Sequence, residues 1–235
     1  MQTTQNTDYS GNAELLLIEK YLKKYNKNLV SRLSKNFANG SVLDFGAGIA
    51  TIAKLWKSRF GKAPDCLEID QKFRKLLKEQ KFNCFESFES LPQKYDHIYS
   101  ANVLEHIQDD VTTLKKLNTA LKTNGTIAIY VPALMMLYSH LDKDFGHYRR
   151  YEKKELIQKL QTANFKIIEC HFVDSVGFFV AAIVKMFEKK HSRSFLGKKN
   201  LLFYDKFIYP LSILLDGLGA KYFFGKNLFI LAKKL

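Results

Sequence analysis

Two carboxylates and two glycines carry the first chemical signal in this chain. Val42-Leu43-Asp44-Phe45-Gly46-Ala47-Gly48-Ile49-Ala50 runs from a short apolar stretch through a Gly-x-Gly turn into a helical period. Gly46 and Gly48 permit a tight turn and close backbone approach to a ligand. Asp44 stands just before that turn, where its charge repels a pyrophosphate but suits an ammonium group. The dinucleotide fingerprint also needs a glycine at position 51, which is Thr51. Further on, Cys66-Leu67-Glu68-Ile69-Asp70 places Glu68 where an acid after a second strand accepts ribose hydroxyls, and leaves Asp70 to cap the next helix. A lone Gly-x-Gly is common. Joined to Asp44 and Glu68, it points to a nucleoside with a positive charge and no phosphate.

A second group of residues could handle a proton. His106 ends the stretch Ser100-Ala101-Asn102-Val103-Leu104-Glu105-His106, and an imidazole there either takes a proton from an attacking hydroxyl or serves as a cap. Leu141-Asp142-Lys143-Asp144-Phe145-Gly146-His147-Tyr148-Arg149-Arg150-Tyr151 is too polar and specific for a plain linker. His147 is a second candidate base. Arg149 and Arg150 could hold a carboxylate or phosphate of the acceptor, beside Tyr148, or one of them pairs with Asp142 or Asp144 to shape the loop.

The elements that must position these groups follow from periodicity. Leu15, Ile18, Leu22, Tyr25 and Leu29 form one helical stripe. Strands are expected at 41–45, 65–68, 82–85, 95–100, 126–131 and 165–172, with helices after Gly48 (closed by Gly61), over 71–80, after Asp109 or Asp110, and over 153–163. Strand and helix alternate about five times, with connections long enough for parallel crossovers. That pattern predicts an α/β fold with a doubly wound, mostly parallel sheet, whose ligands bind beyond the carboxyl ends of the strands.

The 235 residues suit one such domain, 46% of them hydrophobic. The longest uncharged apolar run, Val176 to Val184, falls well short of the roughly 18–20 residues of a membrane span. The start, MQTTQNTDYSGN, lacks the basic and apolar regions of a secretory signal. Cys66, Cys84 and Cys170 form neither a disulfide framework nor a metal knuckle, which fits a reducing cytoplasm, and no metal is expected. A net charge of +14 favours acidic partners or reflects a lysine-rich solvated surface.

VLDFGAGIA, CLEID, YDHIYSANVLEHIQDD and LKTNGTIAIYVP, in this order over roughly residues 40–172, resemble the class I S-adenosylmethionine-dependent methyltransferases. The D…GHYRRY stretch is similar to that of a bacterial subset like the quinone-biosynthesis O-methyltransferases, often found beside glycan-assembly genes. The resemblance implies a seven-stranded sheet with S-adenosylmethionine as cofactor, its methionine part cradled by Asp44, Gly46, Ala47 and Gly48 and its ribose held by Glu68. The usual third loop glycine is Ala50. The acid often found near the adenine aligns with Ser87, where the serine hydroxyl or the Phe88 amide could serve, and Asn102 lies at the strand tip beneath the cofactor. The Asn-Pro-Pro-aromatic motif of nucleobase-methylating enzymes is missing from 102–105, which argues against nucleic acid. The expected reaction is methyl transfer to oxygen of a small or lipid-linked acceptor, glycan- or quinone-like. The alternatives are an RNA methyltransferase, a nucleotide-dependent oxidoreductase and a non-catalytic cofactor-binding module.

Three segments are expected: a helical lead-in over 1–40 with a loose tail over 1–12, the cofactor-binding core over 41–172, and a helical insert with a last strand over 173–235. The last strand, near 226–233, should lie antiparallel. In the insert, Val176, Phe179, Ile183 and Met186 form one apolar stripe, and Phe203, Phe207, Leu211, Leu214 and Leu218 another. Between them, residues 185–206 carry seven Lys or Arg against two acids. These helices either lie peripherally on an anionic membrane surface, lidding a lipid-like acceptor, or pack on the sheet with an ordinary solvated turn.

Overall fold

β-Branched and aromatic runs form the centre of a seven-stranded sheet in the computed structural model, which describes residues 12–187 and 197–235. The strands are β1 (Val42–Phe45), β2 (Asp65–Leu67), β3 (Cys84–Phe85), β4 (Tyr95–Ala101), β5 (Leu121–Pro132), β6 (Phe165–Val173) and β7 (Asn227–Lys234), in the order β3-β2-β1-β4-β5-β7-β6. β7 alone runs antiparallel, paired with both β5 and β6, as the family resemblance implied. The chain steps outward from β1 to β3 on one side and from β4 onward on the other. The carboxyl ends of β1 and β4 therefore flank the point where the order reverses, and a crevice opens there.

The helices are α1 (Asn12–Tyr21), α2 (Lys23–Leu33), α3 (Thr51–Phe60), α4 (Gln71–Glu79), α5 (Asp110–Ala120), α6 (His140–Asp144), α7 (Lys153–Thr162), α8 (Ser175–Phe187), α9 (Lys198–Phe203) and α10 (Tyr209–Gly217). Local chemistry sets several ends. Asp70 Oδ1 accepts from the amides of Lys72 and Phe73 at 2.7 and 3.2 Å, Asp109 accepts from Thr112 at 3.1 Å, and Gly61 closes α3 in the left-handed region at φ 70°. Buried Leu114 and Leu117 of α5 and Leu156 and Leu160 of α7 pack with Ile98, Ile127 and Ile230 of the sheet. On the other face Leu29, Leu33 and Trp56 pack with Tyr99 and Tyr130.

Two expectations need correction. The N-terminal stripe is two helices, broken at Leu22, and the first amides of α2 have no local cap. Asp205, some 180 residues away, accepts from the amides of Lys24 and Tyr25 at 3.0 and 2.9 Å. In the insert, α9, a π-helical stretch over Tyr204–Ile208, and α10 succeed one another, yet their apolar stripe does not pack on the sheet. Leu201, Asp205, Tyr209, Ser212 and Asp216 are buried instead, while Phe203, Phe207, Leu211, Leu214 and Leu218 are exposed. The polar inward face has work to do. Asp216 accepts from the amides of Asp174 and Ser175, Ser212 Oγ accepts from that of Val176, and Tyr209 donates to Asn28 Oδ1. Residues 1–11 of the expected tail and 188–196 of the expected basic stretch lie outside the described residues. No helix among the described residues is long and apolar enough to cross a membrane.

Candidate active site

β1 delivers Asp44 to the crevice and buries it. Its carboxylate has one side-chain partner, the Tyr99 hydroxyl at 3.0 Å, and Tyr99 is itself fixed by stacking on Trp56 at 4.8 Å between ring centroids. Burial pushes the Asp44 carboxyl up to about 8, with the nearby Glu68 charge adding to the rise and the Tyr99 hydrogen bond opposing it. No cationic side chain among the described residues pairs with this acid.

The loop after β1 is tied across to β2: Gly46 N donates to Leu67 O at 2.8 Å, and Gly48 N donates to Glu68 Oε2 at 2.8 Å. The other Glu68 oxygen accepts from Asp70 N at 2.9 Å, and burial raises this carboxyl too. Both glycines need positive φ, but their surroundings differ. A Cβ on Gly46 (φ 79°) would stand 2.3 Å from Val103 Cγ2, so this glycine makes room for the β4 tip. A Cβ on Gly48 (φ 52°) would meet only Leu15, at 3.9 Å. Ala50, which stands where the third loop glycine is usual, holds φ 71° while fully buried, a conformation that disfavours any Cβ. Ser87 caps a short 3-10 turn over Phe88–Ser90 beyond β3, and the Phe88 ring packs 5.6 Å from Phe45. Asn102, at the tip of β4, has φ 54° and donates its backbone N–H to Tyr130 O at 2.8 Å.

Just past that tip lies a second cluster. His106 and His147 meet edge to face at 4.6 Å between ring centroids. His147 Nδ1 lies 2.8 Å from Asp142 Oδ1, and its Nε2 lies 4.0 Å from Glu105 Oε1. Glu105 is 0% exposed, and neither of its carboxylate oxygens has a hydrogen-bond partner among the described residues. Burial pushes Glu105 up to about 7, against the pull of His147, and pushes His106 down to about 4, with His147 adding to the fall. Despite burial, the His147 hydrogen bond and Arg150 hold the Asp142 carboxyl below its usual range. Glu105, His106 and His147 each bring one potential ligand atom within 4.8 Å of the others, so a cation could be accommodated there.

The arginines are largely committed within the protein. Arg149 donates to Asp110 Oδ2 at 2.6 Å and to Gln108 O at 2.9 Å. Arg150 Nε reaches both Asp142 oxygens at 3.0 Å, leaving its buried Nη1 without a partner among the described residues. Arg150 thus pairs with Asp142 as the loop-shaping alternative had it, whereas Arg149 pairs with Asp110, an acid outside the loop. The Tyr148 ring is 55% exposed, and its amide ties the loop to Glu105 O at 2.8 Å.

Glu105 and Tyr99 escape the sequence reading. Asp142 enters it only as an arginine partner, although it also stands three residues after Ser139 in a capping box. Glu105 leaves no trace, because LEHIQDD reads as a polar turn.

The model of a methyltransferase domain matches residues 18–170, and the chain belongs to that family. Structures of low sequence identity share its fold. A complex between the Haloferax volcanii Trm112 methyltransferase activator and a methyltransferase superposes with a TM-score of 0.66 at 11% identity, covering 98% of this chain and 99% of that one. A SAM-dependent methyltransferase from Archaeoglobus fulgidus gives 0.59 at 19% identity, covering 94% and 99%. Haemonchus contortus phosphoethanolamine N-methyltransferase 2, in complex with S-adenosyl-L-methionine, gives 0.63 at 17% identity, covering 99% of this chain and 58% of that one. No curated protein sequence matches. The chain carries a methyltransferase domain, and its residues fit S-adenosylmethionine, the molecule held by the Haemonchus enzyme. Asp44 is a buried acid with no cationic partner among the described residues, Glu68 retains lone pairs for hydroxyl donors, and a Cβ on Gly48 would touch only Leu15.

Proposed function

We propose that this enzyme transfers a methyl group to an oxygen of a small or lipid-linked acceptor, glycan- or quinone-like, with His147 as the base. When bound, S-adenosylmethionine supplies an electrophilic methyl on a sulfonium that already leaves readily. Asp44, with Gly46, Ala47 and Gly48, would hold the methionine part, Glu68 the ribose, and Ser87 and Phe88 the adenine end. Asn102 would form the floor.

The observation that supports this reading best is the bracketing of His147 by two acids. Asp142, accepting from Nδ1–H, leaves Nε2 with the lone pair that can take a hydroxyl proton. Once Nε2 carries that proton, the buried Glu105 carboxylate 4.0 Å away stabilises the imidazolium. Arg150 keeps Asp142 ionised and in place, and Arg149 anchors the same loop to α5 through Asp110. His106, held neutral by burial, lines the same cluster. Tyr148 offers an exposed ring at its edge.

The test is transfer of labelled methyl from S-adenosylmethionine to a cell extract, followed by phase separation. Label should enter the organic phase or a small hydroxylated product. Label confined to RNA would overturn this proposal in favour of an RNA methyltransferase. His147→Ala should lower kcat about a hundredfold or more while cofactor affinity is kept. An unchanged kcat would remove His147 as the base.

A further inference from the structure

The insert is built inside out. Along α9, the π-helical stretch and α10, the polar side chains face the protein and cap other helices, while Phe203, Phe207, Leu211, Leu214 and Leu218 face away, Leu218 at 77% exposure. On α8 the exposed stripe is Phe179, Ile183, Met186 and Phe187. Aromatic contacts lie within each stripe, Phe203 5.2 Å from Phe207 and Phe179 5.4 Å from Phe224, and α8 is held beside α10 by Ser212 and Asp216. An apolar surface on this scale marks a face that meets something other than water.

Its charge is one-sided. The acids of the described insert, Asp174, Asp205 and Asp216, are all buried, whereas Lys185, Lys198, Lys199 and Lys206 are exposed. Lys206 lies over the Phe207 ring at 5.1 Å, so its cation sits beside the apolar stripe. Large apolar side chains rimmed by lysines, with no exposed acid among the described residues of the insert, complement a bilayer that presents anionic headgroups. A second copy of this chain fits poorly. A two-fold interface would set these lysines against each other without a compensating acid.

We propose that the outward face of α8, α9 and α10 docks on an anionic lipid surface, with its apolar side chains entering the headgroup layer and its lysines meeting lipid phosphates. The face adjoins the site. Lys185 Nζ donates to Met136 O at 2.7 Å, in the turn that follows β5, and Arg150 N donates to Met135 Sδ at 3.3 Å in the same turn. Docking thus brings the loop that carries His147 to the bilayer surface. This deepens the lipid-linked reading of the acceptor, but its test needs no acceptor.

Vesicles of phosphatidylcholine alone and of phosphatidylcholine with phosphatidylglycerol are sedimented with the full chain. The protein should pellet with the mixed vesicles and release with added salt. The triple variant Phe207→Glu, Leu211→Glu, Leu214→Glu should bind about tenfold more weakly or worse, with cofactor affinity by calorimetry unchanged. Lys198→Glu with Lys199→Glu provides a second, surface-only variant that should also lose vesicle binding without a shift in thermal unfolding. Wild-type protein left in the supernatant, equal binding to uncharged vesicles, or unimpaired binding by both variants would overturn the proposal. So would a dimer seen by sedimentation velocity that the triple variant abolishes without any vesicle binding. Loss of methyl transfer with vesicle binding intact would fault the acceptor reading alone.

Discussion

Asp44 provides the sharpest quantitative test of how this site recognises its cofactor. Buried beside Tyr99 and within the field of Glu68, its carboxyl is pushed up to about 8, so at pH 7 about nine-tenths of the free protein carries a proton there. An ammonium group placed beside it favours the carboxylate, and that proton must leave. Releasing it costs about 1.4 kcal/mol at pH 7 and about 2.7 kcal/mol at pH 6, so, with the amine's own titration counted, affinity should climb about eightfold from pH 6 to 7 and about threefold from 7 to 8. The amine itself titrates near 8, so affinity peaks there. Calorimetry at pH 7 in phosphate and in Tris should report about 0.8 proton released per cofactor bound, net of the small uptake by the amine. Asp44→Asn should abolish that release and bind at least about tenfold more weakly at pH 8. The sign for stability is the opposite. A carboxyl raised from 3.8 to about 8 in the fold lets the native state hold the extra proton, so its contribution to cofactor-free stability is present below about pH 4 and lost as pH rises toward 8. Asp44→Asn should therefore raise the melting temperature of the cofactor-free protein at pH 8. Equal proton release by wild type and Asp44→Asn, or none by either, would refute the reasoning.

Three further outcomes follow from the same geometry. Glu68→Ala orphans the amides of Gly48 and Asp70, and should weaken cofactor binding at least tenfold and lower stability by about 2 kcal/mol; calorimetry and urea unfolding check the two effects. Gly46→Ala places a methyl 2.3 Å from Val103 Cγ2 in a left-handed conformation, so it should cost about 2 kcal/mol or more, of which Val103→Ala restores the steric part but not the backbone part in a double-mutant cycle. Asp142→Ala leaves Arg150 and His147 without their shared acid, and should destabilise by about 3 kcal/mol in urea unfolding and cut kcat along with it.

Much of the architecture is legible from the chain because it is set locally. Asp70, Asp109 and Gly61 end helices through contacts within three or four residues, and β-branched runs such as Thr126–Val131 form strands wherever they are buried. Asp44 and Glu68 are legible because the loop and the second strand stand at a fixed spacing. What escapes notice depends on distant partners. The break at Leu22 is stabilised by Asp205, which no period in the first thirty residues reveals. The insert shows the right stripes, but which face turns inward is decided by the orphan amides of Asp174, Ser175 and Val176, met by Asp216 and Ser212. Glu105 resembles a surface acid until the His147 loop folds over it. Both arginines look available until Asp110 and Asp142 are seen beside them.

The central claim is that the crevice between β1 and β4 holds S-adenosylmethionine by its charge and its ribose. A crystal structure of the protein soaked with S-adenosylhomocysteine tests it most directly. The amine should lie within hydrogen-bond distance of Asp44, the ribose diol at Glu68, and the sulfur above Asn102. Density for the ligand anywhere else, or an amine pointing away from Asp44, would contradict the account.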